Sequence, residues 1–327
     1  MLMSTVSASA RRLGAVRNIA RGSVGDKIFK ALAYFFGISL LIIALGLVYE
    51  LWVQSEASRE AFGIGFLWSS EWNPVTREFG ALPFIYGTVM MSLFAILLAG
   101  PIGIGIAAYL VELAPGGIGR VLGFIVELLA AIPSVVYGLW GIFVLGPFLE
   151  SYVVPVIEPT LGWTPLFAGT FTTFSVFTAS LVLAIMILPT AAAITRDVIA
   201  AVPNDQREAM LALGATRWEM FYKAVMPYAR SGIIGAMVLA YGRAAGETMA
   251  VTMISGNRPE VFVSGFEQGA TMASIIAAQF ANAGSDEFLA ALFELGLILF
   301  LLTFVINVLA RLLVYAVSKG PSFGLRV

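Results

Sequence analysis

Six long apolar runs divide this chain, separated by shorter polar stretches: Lys30–Val53, Pro83–Val111, Gly119–Gly146, Thr173–Arg196, Ser231–Ser255 and Phe288–Ser318. About 20 helical residues cross the roughly 30 Å of hydrocarbon in a bilayer, so each run is long enough to span one. A lone segment in lipid must satisfy its own backbone hydrogen bonds, which selects the α-helix. The composition supports the pattern, with 59% hydrophobic and 12% charged residues in 327. The expected fold class is an all-α integral membrane protein with six transmembrane helices.

Six spans place both termini on one side, and the basic residues say which. Residues 1–29 carry Arg11, Arg12, Arg17, Arg21 and Lys27, and the stretch after the fourth run carries Arg207, Arg217, Lys223 and Arg230. Residues 319–327 add Lys319 and Arg326, whereas the connections on the other side hold only Arg59, Arg77 and Arg258. An excess of Lys and Arg marks the cytoplasmic side, so both termini and a loop at 197–230 are expected there. The chain then divides into a cytoplasmic N-terminal arm, 1–29, a six-helix transmembrane domain, 30–318, and a cytoplasmic tail, 319–327. The first run is too long for a signal peptide and reads as an uncleaved anchor. Membrane lipid is the expected surrounding, and no nucleic-acid partner is expected. With no cysteine and no histidine, disulfides, thiolate metal sites and imidazole proton relays are excluded, and no metal site is expected.

The polar stretch Pro203–Pro227 reads as an ordered elbow. Asp205 suits a helix N-cap, with Glu208 completing a capping box, and Ala209 to Leu213 favour helix. Gly214 suits a left-handed stop, Thr216 and Glu219 make a second capping box, and a second helix runs to Met226 and stops at Pro227. A helix–Gly–helix elbow between two spans is a surface to present to a partner. The fifth run carries a second signal: Gly242-Arg-Ala-Ala-Gly-Glu-Thr248. A charge at mid-bilayer costs about 2.5–3.5 kcal/mol, so Arg243 is expected to face a polar cavity or a counter-charge. Glu247 lies one turn on, on the same helical face, and is expected to hold Arg243 when no substrate is present. A guanidinium offers a planar fork of donors suited to an oxyanion, and the neighbouring carboxylate favours one that still carries a proton.

These stretches resemble a known family. Glu208, Ala209, Gly214 and Pro227 stand in register with the Glu-Ala-Ala…Gly…Leu-Pro loop of ABC-importer permeases, with Met210, Ala224 and Met226 as apolar departures. The block from Gly242 to Val251 is similar to the signature of phosphate ABC-importer permeases. Phe79-Gly-Ala-Leu-Pro-Phe-Ile-Tyr-Gly-Thr88 and Glu127-Leu-Leu-Ala-Ala-Ile-Pro-Ser-Val-Val-Tyr-Gly-Leu-Trp140 resemble the PstC-type subunit. The resemblance implies a type I ABC-importer permease fold in a prokaryotic inner membrane, working by alternating access. It implies three partners: a second, related permease subunit, an ABC ATPase dimer docked on the elbow through Glu208, Ala209, Gly214 and Pro227, and an external phosphate-binding protein. It also implies a phosphate path at Arg243, Glu247 and Thr248. ATP would be used by the partner, and no cofactor is expected on this chain, which has no Gly-x-x-x-x-Gly-Lys-Ser/Thr loop.

Other positions stay open. Pro133 should break the third span beside Ser134, and Glu127 reads equally as a gating group or a structural ion pair. Thr88 and Ser92 either line a path or pack helices, Glu294 and Asn307 are expected to hydrogen-bond between helices, and Pro189 to kink the fourth span. The segments Gln54–Leu82, Glu150–Phe171 and Asn257–Glu287 are expected to be ordered external loops that contact the binding protein, with Met272–Asn282 as an amphipathic helix along the membrane surface. The alternatives are an importer of sulfate, molybdate or another oxyanion, an ion-gradient-driven secondary transporter, and a non-transporting scaffold.

Overall fold

A computed structural model describes residues 24–318. Most of the expected arm, 1–23, and the tail, 319–327, lie outside the described residues. Among the described residues six helices are long and apolar enough to cross a membrane: Val24–Gln54, Leu82–Leu113, Ser134–Leu161, Val176–Ala200, Arg217–Ala245 and Asp286–Ala316. The first, α1 (Val24–Gln54), forms a unit of its own and already includes the last residues assigned to the arm.

The rest of the chain forms a second compact unit. A short helix, α2 (Glu56–Phe62), and a two-stranded hairpin, β1 (Trp72–Asn73) and β2 (Glu78–Phe79), lead into α3 (Leu82–Ala108). Next come α4 (Gly116–Ala130), α5 (Ser134–Trp140), α6 (Gly146–Phe148) and α7 (Val154–Leu161). Then follow α8 (Val176–Ala200), α9 (Asn204–Ala212), α10 (Arg217–Met220), α11 (Met226–Ala245), α12 (Met249–Ile254), α13 (Met272–Gln279) and α14 (Asp286–Ser318).

Proline explains where helices continue and where they stop. Four π-helical turns occur among the described residues, at Tyr109–Leu113, Gly141–Leu145, Leu149–Val153 and Phe221–Val225. Each is followed, one residue later, by a proline: Pro115, Pro147, Pro155 and Pro227. Proline has no N–H to donate and crowds the carbonyl four residues back. The wider π turn shifts the ladder by one residue ahead of that gap. Two sequence expectations fail for this reason. Pro227 does not stop the elbow's second helix, because Phe221–Val225 carries α10 straight into α11. The third span is not Gly119–Gly146 but Ser134–Leu161, and much of the expected loop Glu150–Phe171 is helix. Pro133 does break the chain, between α4 and α5. Pro189 sits inside the uninterrupted α8.

Helix α8 is the centre of the packing. It lies most extensively against α3, and also against α11 and α4. Small residues allow the approach: Ala95, Ala99, Ala184 and Ala191 are buried, and a Cβ on Gly103 would lie 3.2 Å from that of Ala191. Such positions take the place of the hydrophobic driving force, which is weak between helices in lipid. A second cluster gathers the hairpin, α3, α13 and α14. There Phe79 stacks on Phe288 at 5.3 Å and Trp72 Nε1 donates to Gln279 Oε1 at 2.8 Å.

Several polar expectations are settled by this packing. Helix α13 does not lie free along a surface: Met272, Ala273, Ser274 and Ile275 are buried, and Thr271 and Ser274 form its capping box. Thr88 Oγ1 accepts from Met272 N at 3.0 Å and donates to Phe84 O at 2.7 Å, so Thr88 packs helices. Ser92 is buried, and its hydroxyl has no hydrogen-bond partner among the described residues. Asn307 does not reach another helix; its Nδ2 donates to Thr303 O of its own helix at 2.9 Å. Glu294 does face a neighbour, buried against Ser58 and Arg59 of α2.

Candidate functional site

Two regions carry the candidate residues. The first is the elbow. Gly214 has φ of +80°, the left-handed conformation expected of the stop between its helices. The capping box at α10 forms as expected: Glu219 N donates to Thr216 Oγ1 at 3.3 Å, and Thr216 N to Glu219 Oε2 at 3.0 Å. The box expected at α9 does not. Pro203 occupies the N-cap position, no side chain caps the helix, and Asp205 lies in the first turn. Asn204 Oδ1 is engaged elsewhere, by Arg207 Nη1 at 3.3 Å. Glu208, Ala209 and Gly214 share the exposed elbow, and Pro227 is exposed beyond the π turn. Leu213, 84% exposed, and Trp218, 71% exposed, add apolar area to a surface of mixed charge.

The second region is the end of the fifth span. The expected helix Ser231–Ser255 is broken: α11 ends at Ala245, Gly246 to Thr248 form no helix, and α12 starts at Met249. The expected Arg243–Glu247 pair does not form. Glu247 Oε1 instead accepts from Ala250 N, 3.2 Å away, across the start of α12. Gly246 is a poor helix former, and a carboxylate at a helix start competes for the free N–H groups there. Arg243 is exposed on the last turn of α11 and has no hydrogen-bond or ion-pair partner among the described residues. Thr248 Oγ1 donates to Gly246 O at 3.2 Å, inside the break.

A Cβ on Gly138 of α5 would meet Ala250 and Met253 of α12, and one on Gly141 just beyond α5 would meet Ile254. These contacts pack α5 against α12. Tyr137 OH donates to Leu129 O at 2.9 Å, bridging the break at Pro133, and its phenol lies within electrostatic reach of Arg243. Tyr137 thus links the break at Pro133 to Arg243, which shares the end of the fifth span with Glu247 and Thr248. Glu127 is engaged elsewhere. Its Oε1 accepts from Arg196 Nη1 at 2.9 Å, so of its two readings the structure shows the ion pair.

Residues 99–319 match the family described as binding-protein-dependent transport system inner membrane component. The chain belongs to that family. Its relatives include the phosphate transport system permease protein PstC of Mesorhizobium japonicum, 44% identical over 94% of this chain and 96% of that one. The protein of the same description from Pasteurella multocida is 40% identical over 94% and 98%. The fold is shared with a bacterial alginate ABC transporter solved with its periplasmic protein, with a TM-score of 0.60, 17% identity and coverage of 88% and 95%. It is also shared with the MetNI methionine ABC transporter, with a TM-score of 0.53, 19% identity and coverage of 72% and 94%. The family match spans the elbow, both helix breaks and Arg243. The all-α, multi-pass permease fold with a helix–Gly–helix elbow, expected from the sequence, is the observed one.

One constellation was not foreseen. Arg207 counted only as a positive charge, yet its Nε donates to Glu112 Oε1 at 3.0 Å. Glu112 lies just past the apolar run that ends at Val111, and an acid at that edge was the only signal available.

Proposed function

We propose that this chain is a membrane-spanning subunit of an ATP-driven phosphate importer and forms half of its translocation pathway. The observation that carries the reading is Arg243, exposed and unpartnered at the end of α11 beside the break before α12. A charge left facing hydrocarbon costs about 2.5–3.5 kcal/mol, so in the membrane another subunit and an aqueous path must cover it. A second, related permease subunit supplies that cover. The guanidinium, with its five N–H donors, then meets the oxyanion, and Glu247 and Thr248 stand at the adjoining break. Relatives described as phosphate permeases over nearly the whole chain favour phosphate over sulfate or molybdate.

Residues 30–318 form the permease domain in this reading, within a prokaryotic inner membrane with both termini cytoplasmic. The loop 197–230 meets an ABC ATPase dimer through Glu208, Ala209, Gly214 and Pro227, and an external phosphate-binding protein delivers the substrate. ATP is bound and hydrolysed by the partner. Closure of the ATPase dimer moves the elbow, and because α10 continues into α11, that motion reaches Arg243 along one helix. The site then opens to the other side.

The test is ATP hydrolysis by the assembled complex in the presence of its binding protein. Phosphate-loaded binding protein is expected to stimulate hydrolysis several-fold, and a tenfold excess of sulfate or molybdate to leave that stimulation in place. Equal stimulation by sulfate would point to a general oxyanion importer. Transport that proceeds without the ATPase and follows an ion gradient would point to a secondary transporter.

A further inference from the structure

We infer that Arg207 is a positioning residue that makes the elbow's first helix, α9, move with α3 and α8. The inference rests on the importer reading above, because it needs an elbow that is driven.

The guanidinium joins three parts of the chain. Its Nε donates to Glu112 Oε1 at 3.0 Å, in the π turn that ends the α3 span. Its Nη2 donates to Ile199 O at 2.8 Å, in the last turn of α8, and its Nη1 donates to Val202 O just beyond that helix. The same Nη1 reaches Asn204 Oδ1 at the start of α9. Arg207 itself sits in α9, one residue before Glu208.

Burial sets this pair apart. The side chains of Arg207 and Glu112 are 13% and 10% exposed, while both partners in Arg77–Glu287, Arg196–Glu127, Arg196–Asp197, Lys223–Glu219 and Arg258–Glu260 are at least 26% exposed. Exposed pairs hold geometry weakly, whereas a desolvated, multiply bonded guanidinium is costly to separate from its acceptors. The planar fork is what allows one side chain to serve acceptors in different directions, and lysine cannot reproduce it.

The rest of the elbow gives the bond its consequence. Helix α9 has no buried side chain, and only Met210 packs, in part, against the apolar cluster of Ile199, Val202, Met220, Phe221 and Val225. Packing alone therefore does not fix α9. Helix α10 is attached to α11 by helical continuity, and α9 to α8 by the chain itself through Ala201–Pro203. The charged attachment of α9 to the α3 span is Arg207–Glu112. With it in place, a push on α9 is carried to α3 and α8 together. Without it, α9 is held only by the partial packing of Met210 and by the chain at its ends.

The experiment uses the full complex in proteoliposomes, with wild type, Arg207→Lys and Glu112→Gln compared. Both variants are expected to assemble and to hydrolyse ATP within about twofold of wild type, while the phosphate moved per ATP falls at least fivefold. A purely structural role would lower yield or thermal stability and leave that ratio unchanged, which would overturn the inference. A second measurement does not depend on the variants. The chain has no cysteine, so Gln206→Cys on α9 and Ile102→Cys on α3 provide two unique spin-label sites. The distance between them is expected to stay constant between nucleotide-free and nucleotide-trapped complexes. A shift of several ångström in the otherwise wild-type chain overturns the inference. Wild-type complexes that move no phosphate would instead count against the importer reading, and the label distance would still decide the role of Arg207.

Discussion

Replacing Arg243 by glutamine is expected to lower ATP-driven phosphate uptake by at least about thirtyfold while the complex still assembles. Both halves of that result follow from the same observation. Arg243 makes no hydrogen bond or ion pair among the described residues, so its loss removes no bond that holds this chain together. What it removes is the charge and the fork offered to the oxyanion. A hydrogen bond to a charged group contributes about 1.5–3 kcal/mol, and removing both bonds of a bidentate fork corresponds to roughly 10²-fold in binding. Arg243→Lys keeps the charge but not the fork and is expected to fall between the two. Initial uptake rates, with the yield of the purified complex as control, make the comparison. Wild-type uptake by an assembled Arg243→Gln complex would place the anion elsewhere.

The second large effect is expected at Gly214. Its φ of +80° is one that a β-branched residue rarely adopts, while a Cβ built there meets nothing within 4 Å. A Gly214→Val change therefore acts on the backbone alone. Holding valine in that conformation costs on the order of 1–3 kcal/mol, comparable with what two short helices with little burial can offset. The elbow is expected to relax to another turn and carry Glu208, Ala209 and Trp218 out of their mutual arrangement. Co-purification with the ATPase is expected to fall at least tenfold, with the thermal midpoint of the membrane part within a few degrees of wild type. Gly214→Asn should recover part of the binding, because asparagine tolerates left-handed backbone. Full ATPase binding by Gly214→Val would mean that the elbow's shape does not determine docking.

Much of this was legible in the residues because the governing physics is local. Runs of about twenty apolar residues, a Thr216–Glu219 cap and a glycine between two short helices each announce themselves within a few positions. Arg243 was legible because a charge in an apolar run is expensive wherever it lies. The misreadings share a different cause. A proline reads as a stop, yet at Pro147, Pro155 and Pro227 a preceding π turn absorbs it, and nothing in the local sequence marks that turn. Glu247 stood at the right spacing to pair with Arg243, but the spacing holds only while the helix does, and Gly246 lets it break. Glu112 and Arg207 are 95 positions apart, so only the folded chain brings them together.

On the proposed reading this chain carries phosphate through the membrane at the expense of ATP. Radiolabelled phosphate uptake into proteoliposomes holding the complete complex, with ATP supplied on the elbow side, tests it most directly. The expected result is accumulation against a gradient that stops with a non-hydrolysable ATP analogue and is not reduced by excess sulfate. Accumulation that continues without hydrolysis, or that sulfate abolishes at equal concentration, would contradict it.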